Sequence, residues 1–159
     1  AQGAWARRER GELDLASFCA EFAAECAARG AVVDVAALMD EIDRRAVPRP
    51  AMVHAVRRVG GAGMAVAALT NNWVPLSDEA LTGLFDVVVE SSVEGVRKPD
   101  PAIYTIVLER LGVAPDRAVF LDDIGANLKP ARAIGMTTIK VSDPDAALAG
   151  LWSVLGLQD

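Results

Sequence analysis

The sequence predicts an α/β protein with a doubly wound parallel sheet that is preceded by a small helical unit. Three observations lead to this class. Short apolar runs of strand length alternate with helical patterns in the later part of the chain. The run Met64–Leu69 and the shorter run within Asp86–Glu90 are continuously apolar, which is typical of parallel strands covered by helices on both faces. The first third carries helical patterns only, so a separate helical unit is expected there.

Two helices are predicted in the first third, within residues 1–48. Hydrophobic residues recur at three- and four-residue spacings over residues 14–26, with Asp14 placed as the N-cap. A second helix is predicted at about residues 35–44, because apolar side chains again fall on one face.

The α/β core is assigned to residues 49–159 and begins with a helix that Pro50 initiates. The glycine cluster at residues 60–63 follows this helix and precedes a strand, so it is predicted to be a helix stop and turn. A dinucleotide-binding loop would have the reverse order. The next elements are strands at Met64–Leu69, Asp86–Glu90, Ala118–Leu121 and Thr137–Val141, and helices at Pro101–Leu111, Asn127–Ile134 and Asp145–Leu155.

Composition excludes several classes of function. A net charge of −6 and a pI near 4.8 argue against a nucleic-acid surface or an anionic membrane as partner. No apolar run approaches the roughly 20 residues of a membrane-spanning helix. Cys19 and Cys26 are predicted on one helix face roughly 10 Å apart, too far for a disulfide. We therefore expect a cytoplasmic protein with reduced cysteines.

Asp122 and Asp123 form the most informative pair in the chain, because they directly follow a buried apolar strand. Ligands of open α/β sheets bind at the carboxyl ends of the strands. Two adjacent carboxylates at such a point suggest a hard divalent cation such as Mg²⁺. A helix N-cap beside a solvated acid is the alternative interpretation, and this stretch by itself leaves both open.

Polar side chains of complementary kinds follow the two preceding strands. Thr70 and Asn71 follow the first, and Lys98 stands beside Pro99 after the second. A hydroxyl, an ammonium group and metal-binding carboxylates are what a phosphoryl group requires. Lys98 is one of only three lysines against thirteen arginines, although a solvated loop lysine is the alternative interpretation of this residue.

These stretches resemble motifs II, III and IV of the haloacid dehalogenase-like hydrolases. The last is most similar to the subgroup that contains the phosphatase domain of soluble epoxide hydrolase and domains fused to acyl-CoA dehydrogenases. The resemblance covers essentially the whole chain and implies a Rossmann-like core of that family. The stretch at residues 10–15 is also similar to the cap of this subgroup, so the resemblance implies a small helical cap at residues 1–48. The three motifs are at Leu69–Trp73, Arg97–Tyr104 and Val119–Arg132.

The resemblance implies a role for each of the polar residues. Thr70 would bind the transferring phosphoryl group with Asn71 beside it, and Lys98 would neutralise the nucleophile and the phosphoryl charge. Thr70, Lys98 and Asp122 would then be catalytic. The metal would be Mg²⁺, with Asp123 as its direct ligand and Asp122 holding a metal-bound water or the lysine ammonium. Asn127 would orient the loop of the acidic pair.

The nucleophilic motif of the family, an Asp-x-Asp after the first strand, is missing from these residues. Asp143-Pro-Asp145 follows the last strand and is predicted to be a helix cap, and Glu12 and Asp14 precede a helix. Family order places the motif upstream of Ala1. The missing strand would lie between the Met64–Leu69 and Ala118–Leu121 strands, so we expect the 159 residues alone to be inactive.

Three hypotheses about function remain. The leading one is a Mg²⁺-dependent phosphatase that acts on a small or lipid phosphate monoester through an aspartyl-phosphate. The alternative is a binding or scaffold domain that keeps the fold without the nucleophile. A 2-haloacid dehalogenase is disfavoured, because those enzymes use no metal and lack the acidic pair at Asp122 and Asp123. The sequence identifies neither the substrate nor the oligomeric state.

Overall fold

The structure, a computed structural model, describes residues 3–73, 81 and 83–158. Its first helices are α1 (Ala4–Glu9), α2 (Leu15–Ala27) and α3 (Val35–Arg45). The remaining elements in chain order are α4 (Pro50–Gly61), β1 (Ala67–Thr70), β2 (Val87–Glu90), α5 (Ser91–Glu94), α6 (Pro101–Leu111), β3 (Val119–Asp122), α7 (Gly125–Ala133), β4 (Thr137–Lys140) and α8 (Pro144–Leu155). A single 3-10 turn at Pro115–Arg117 precedes β3.

The strands form parallel pairs with helices on both faces, which confirms the predicted α/β class. β1 pairs with β2 and β3 pairs with β4. Residues alternate between the faces along β3: Phe120 packs with α6 and α7, whereas Val119 and Leu121 pack toward α4 and α8. The core on the first side includes the fully buried Ile103 and Tyr104 of α6.

A gap separates the two strand pairs, since no backbone ladder joins β1 to β3 in the described residues. The carbonyls of Ala118 and Asp122 accept hydrogen bonds from the β4 side. Successive peptide groups of a strand point in opposite directions, so those of Val119 and Leu121 point toward β1. By the same argument Ala67 and Leu69 of β1 point toward β3, because the Val66 carbonyl accepts from Asp86 beside β2.

The space between β1 and β3, which we call the slot, has a volume of about 610 Å³. Apolar side chains of β1, β3, α4, α6 and α8 line most of it. A strand inserted here could pair with both β1 and β3, because unpaired backbone groups of both strands face the slot. The predicted single sheet is therefore divided between β1 and β3, where the family resemblance implies a further strand.

Helices α1–α3, which we call the cap helices, pack around Phe18, whose side chain is fully buried. Trp5 of α1 contacts the Phe18 ring at a centroid distance of 5.8 Å. Trp5 also contacts Trp73 of the loop after β1, with the ring centroids 5.4 Å apart. The cap helices therefore contact the core at the loop that follows β1.

Most predicted elements are present within a few residues. Asp14 and Asp143 cap α2 and α8 as predicted, since their side chains accept from Ser17 N and Ala146 N. α4 ends at Gly61, as the glycine cluster predicts. Cys19 and Cys26 form no disulfide. Among the described residues, no helix combines the length and apolar character needed to cross a membrane.

Candidate active site

Three loops with polar residues meet at one edge of the structure, because they follow the carboxyl ends of parallel strands. The Thr70 loop follows β1, and the segment with Lys98 comes after β2 and the short helix α5. β3 ends at Asp122, directly before Asp123. The structure thereby brings the residues singled out in the sequence to the same edge.

Lys98 bridges the two strand pairs at the carboxyl end of the slot. Its Nζ donates to the Leu69 carbonyl of β1 and to Oδ2 of Asp122 in β3, both at 2.8 Å. The Lys98 side chain is 11% exposed and that of Asp122 is 4% exposed, so the ion pair is shielded from solvent. The ammonium group also lies 5.6 Å from the centroid of the Phe120 ring.

Asn71 holds the backbone of Lys98 through two hydrogen bonds. Its Oδ1 accepts from Lys98 N at 2.8 Å, and its Nδ2 donates to Lys98 O at 3.0 Å. A side-chain amide bonded in both directions fixes the loop segment against β1. The structure therefore places Asn71 as a support for the lysine loop, while its expected contact with phosphate stays a prediction.

The Asp122 carboxylate accepts hydrogen bonds from several neighbouring groups. Oδ1 accepts from Ile124 N at 2.7 Å, and Oδ2 accepts from Lys98. The Asn127 amide donates to both oxygens, at 3.0 and 3.1 Å. A carboxylate that accepts this many hydrogen bonds is held in one orientation with its charge compensated. Asn127 is itself buried, so the start of α7 and the end of β3 are locked together.

Asp123 differs from its neighbour, because its side chain is exposed and makes no hydrogen bond or ion pair with the described residues. The described residues contain no group of three or more metal-binding side chains. Mg²⁺ often binds through one or two carboxylates, with waters and substrate phosphate as the other ligands. The exposed Asp123 carboxylate fits such a partial site, whereas the oxygens of Asp122 are already engaged.

Tyr104 supports the loop between β3 and α7 from the protein interior. Its side chain is fully buried, and its hydroxyl donates to the Asn127 carbonyl at 2.6 Å. Burial, together with the nearby negative charge of Asp122, raises the pKa of Tyr104 to about 12. Tyr104 therefore stays protonated, and its hydrogen bond stays intact, well above the ordinary pKa of 10.

The raised pKa of Tyr104 predicts a loss of stability at high pH. The folded state binds the phenolic proton more tightly, so this contribution is complete below pH 10 and disappears as the pH rises to about 12. We expect the advantage of the native chain over Tyr104→Phe in urea unfolding to shrink by about 2–3 kcal/mol across this range. Tyr104 is the only tyrosine, so ultraviolet absorbance follows its ionisation directly. A titration midpoint near pH 10 would contradict the assignment.

Sequence reasoning missed three residues behind these loops: Glu9, Ser91 and Arg97. The Ser91 hydroxyl is fully buried and donates to the Glu9 carbonyl at 2.5 Å, and the Glu9 carboxylate pairs with Arg97. Glu9 stands among arginines in the sequence, which is typical of a solvated helix. Only the adjacency of Arg97 to Lys98 could have indicated this cluster.

The comparisons with known proteins agree on one protein family. Residues 3–135 match the family model of the haloacid dehalogenase-like hydrolases. The mouse acyl-CoA dehydrogenase family member 10 is 38% identical to the chain, over 97% of this chain and 15% of its own length. Rat bifunctional epoxide hydrolase 2 is 42% identical, over 72% of this chain and 22% of its own length. The chain thus spans under a quarter of these two relatives.

A phosphatase from Mycobacterium tuberculosis is 40% identical over 55% of this chain and 42% of its own length. Among solved structures, a predicted HAD-like family hydrolase from Porphyromonas gingivalis superposes with a TM-score of 0.74 at 18% sequence identity. This superposition covers 99% of the chain and 80% of that structure. At such identity it supports the fold alone.

Proposed function

The chain belongs to the haloacid dehalogenase-like hydrolases, and from that premise we propose that its site is the phosphate-binding part of a Mg²⁺-dependent phosphatase. The contact that carries the proposal is the buried bridge from Lys98 to Asp122 and to the Leu69 carbonyl. It holds a positive charge at the carboxyl end of the slot, where a reacting group at the tip of a central strand would lie.

The phosphoryl group would be held by donors from two loops. Lys98 would neutralise charge on the phosphoryl oxygens and on the attacking carboxylate. Thr70 ends β1 next to Leu69 and would donate its hydroxyl to a phosphoryl oxygen. Asn71 would keep the lysine loop in register with Thr70, because it bonds both backbone groups of Lys98. Preorganised donors of this kind need no rearrangement during the reaction.

The nucleophile would be an aspartate at the end of a strand that fills the slot. Two observations support this: backbone groups of β1 and β3 face the slot, and its carboxyl end lies beside the Lys98 ammonium. The carboxylate would attack phosphorus, the alcohol would leave, and water would then hydrolyse the aspartyl-phosphate. In this proposal the described residues have no turnover without that strand.

Mg²⁺ would be held in part by the exposed Asp123 carboxylate, with further ligands from the slot strand and the substrate. Bound there, it would add positive charge opposite the phosphoryl oxygens. Asp122 would act through Lys98, and Asn127 would orient the loop, as its two hydrogen bonds to Asp122 suggest. Within the acidic pair, Asp123 would thus bind the metal and Asp122 would hold the Lys98 ammonium in position.

We propose small or lipid phosphate monoesters as the substrate class, selected by the cap helices above the Thr70 loop. The Trp5–Trp73 contact supports this placement of the cap. Residues 1–48 would form the cap and residues 49–159 the core. The net charge of −6 argues against a nucleic-acid partner. The two free cysteines are compatible with a cytoplasmic location.

Asp123→Ala provides the test in the complete protein. We expect turnover of an aryl phosphate to fall about 10²–10³-fold and to lose its dependence on added Mg²⁺. Phosphate release would be measured with and without a chelator, and Mg²⁺ binding by titration calorimetry. Glu109→Ala, an exposed carboxylate near the far end of α6, is the matched control and should retain full turnover.

Three results would count against the Mg²⁺-dependent phosphatase. Turnover that survives both the chelator and Asp123→Ala would remove the metal from the proposal. A complete protein without any phosphatase activity, but with bound phosphate or partner, would favour the binding domain. Chelator-insensitive release of halide from a 2-haloacid would instead support the dehalogenase.

A further inference from the structure

Glu9 is an acidic residue of the cap helices whose burial needs an explanation. It ends α1, and only 6% of its surface is exposed. Carboxylates are rarely this buried unless they are paired. The partner of Glu9 is Arg97 of the core, 88 positions further along the chain.

The backbone of Glu9 is tied to the Thr70 loop through one hydroxyl. Ser91 Oγ donates to the Glu9 carbonyl at 2.5 Å and accepts from Asn72 N at 3.0 Å. Gly11, which follows α1 with a φ of +72°, lies so close to the Ser92 carbonyl that a Cβ would overlap it. The end of α1 is therefore seated against α5 and the loop that follows β1.

The carboxylate of Glu9 is tied to the lysine loop. It pairs with the Arg97 guanidinium, and Arg97 is bonded along the chain to Lys98. The two loops are in turn joined by the paired hydrogen bonds between Asn71 and Lys98. A single cap residue is thus linked to both loops proposed to hold phosphate. Its carbonyl is linked to the Thr70 loop through Ser91, and its carboxylate pairs with Arg97 of the lysine loop.

We propose that Glu9 is a positioning residue that couples the cap helices to Lys98 through Arg97. With the ion pair made, Arg97 is held against the cap and the lysine loop stays against Asn71. Without the ion pair, Arg97 is not held against the cap helices, and the Lys98 ammonium separates from the Asp122 carboxylate more often. The catalytic meaning of this coupling rests on the proposed phosphatase, whereas the coupling itself is a property of the folded chain and can be measured without turnover.

Lysine labelling measures the coupling directly. The 159-residue chain has three lysines, of which Lys98 is shielded and Lys129 and Lys140 are exposed. An amine-reactive ester, read out by peptide mass spectrometry, should modify the exposed two quickly and Lys98 slowly. We expect Glu9→Gln to raise the Lys98 rate roughly tenfold, because the shielded ammonium reacts only when its loop opens.

The matched control is Glu21→Gln. Glu21 pairs with Arg7 within the cap helices, at 2.5 Å, so this change removes an α1–α2 ion pair and leaves the core loops untouched. Its Lys98 rate should equal that of the native chain. Circular dichroism establishes that each variant is folded, and Glu9→Asp, which withdraws the carboxylate by one methylene, replaces Glu9→Gln if that variant unfolds.

An unchanged Lys98 rate in the folded Glu9 variant would overturn the coupling, as would an equal increase in Glu21→Gln. In the complete protein a selective increase should be accompanied by a fall in kcat larger than any rise in KM, with Glu21→Gln unaffected. If the complete protein proves inactive, labelling still decides the coupling, so failure of the phosphatase proposal is distinguishable from failure of this one.

Discussion

Lys98→Met is expected to destabilise the chain by about 3–5 kcal/mol, because it leaves the Asp122 carboxylate buried without its cation. The Leu69 carbonyl at the edge of β1 loses its donor in the same variant. For a domain of this size the melting temperature falls by about 2–4 °C per kcal/mol. Urea unfolding followed by circular dichroism would measure the loss. In the complete protein we expect kcat to fall at least about 10²-fold.

Two comparisons separate this effect from the loss of any lysine. Lys129→Met removes an exposed lysine of α7 and should change the free energy of unfolding by less than about 0.5 kcal/mol. Lys98→Met combined with Asp122→Asn should recover part of the stability, since no buried charge is then unpaired. If Lys98→Met and Lys129→Met cost the same, the bridge contributes nothing and the proposed site loses its main support.

Hydrogen exchange is expected to reveal the slot as an alternating pattern along β3. The Val119 and Leu121 amides point toward the slot and should exchange quickly in the 159-residue chain, while the Phe120 amide points toward β4 and should be protected. In the complete protein, a strand in the slot should slow the Val119 and Leu121 amides by about 10³-fold or more. Ala67 and Leu69 of β1 should change in the same way.

The Phe120 amide is the internal control, because its environment is the same with or without a strand in the slot. Equal protection of Val119, Phe120 and Leu121 in the 159-residue chain would mean that the slot closes in solution. Fast exchange of Val119 and Leu121 in the complete protein would mean that no strand enters the slot, and the proposed position of the nucleophile would be wrong.

The sequence predicts the larger elements well, because periodicity and capping residues are local signals. Asp14 and Asp143 are side-chain caps that can be identified without a structure, and α2 and α8 begin directly after them. α1 and α5 were not predicted. They have six and four residues and no side-chain cap, and they are held by contacts with distant elements.

The residues of the candidate site and the contact of Asp122 with the Lys98 ammonium were expected from the sequence and its family resemblance, but the other hydrogen bonds between them were not. Topology alone brings Thr70, Lys98 and Asp122 to one edge, since Thr70 and Asp122 end parallel strands and Lys98 follows one. The double hydrogen bond between Asn71 and Lys98 depends on loop geometry that no spacing encodes. The burial of Glu9 depends on Arg97, a partner from another unit of the structure. Long-range polar pairs of this kind are visible only in three dimensions.

The pairing of each strand with the next strand along the chain has a consequence for folding. β1 with β2 and β3 with β4 are both pairs of neighbours in the sequence, so each closes a comparatively short loop. Local pairings of this kind form sooner than distant ones. We therefore expect two half-sheets to form early and independently. A strand that pairs with both β1 and β3 could be incorporated only after both half-sheets have formed. We expect this incorporation to be the slowest step of folding.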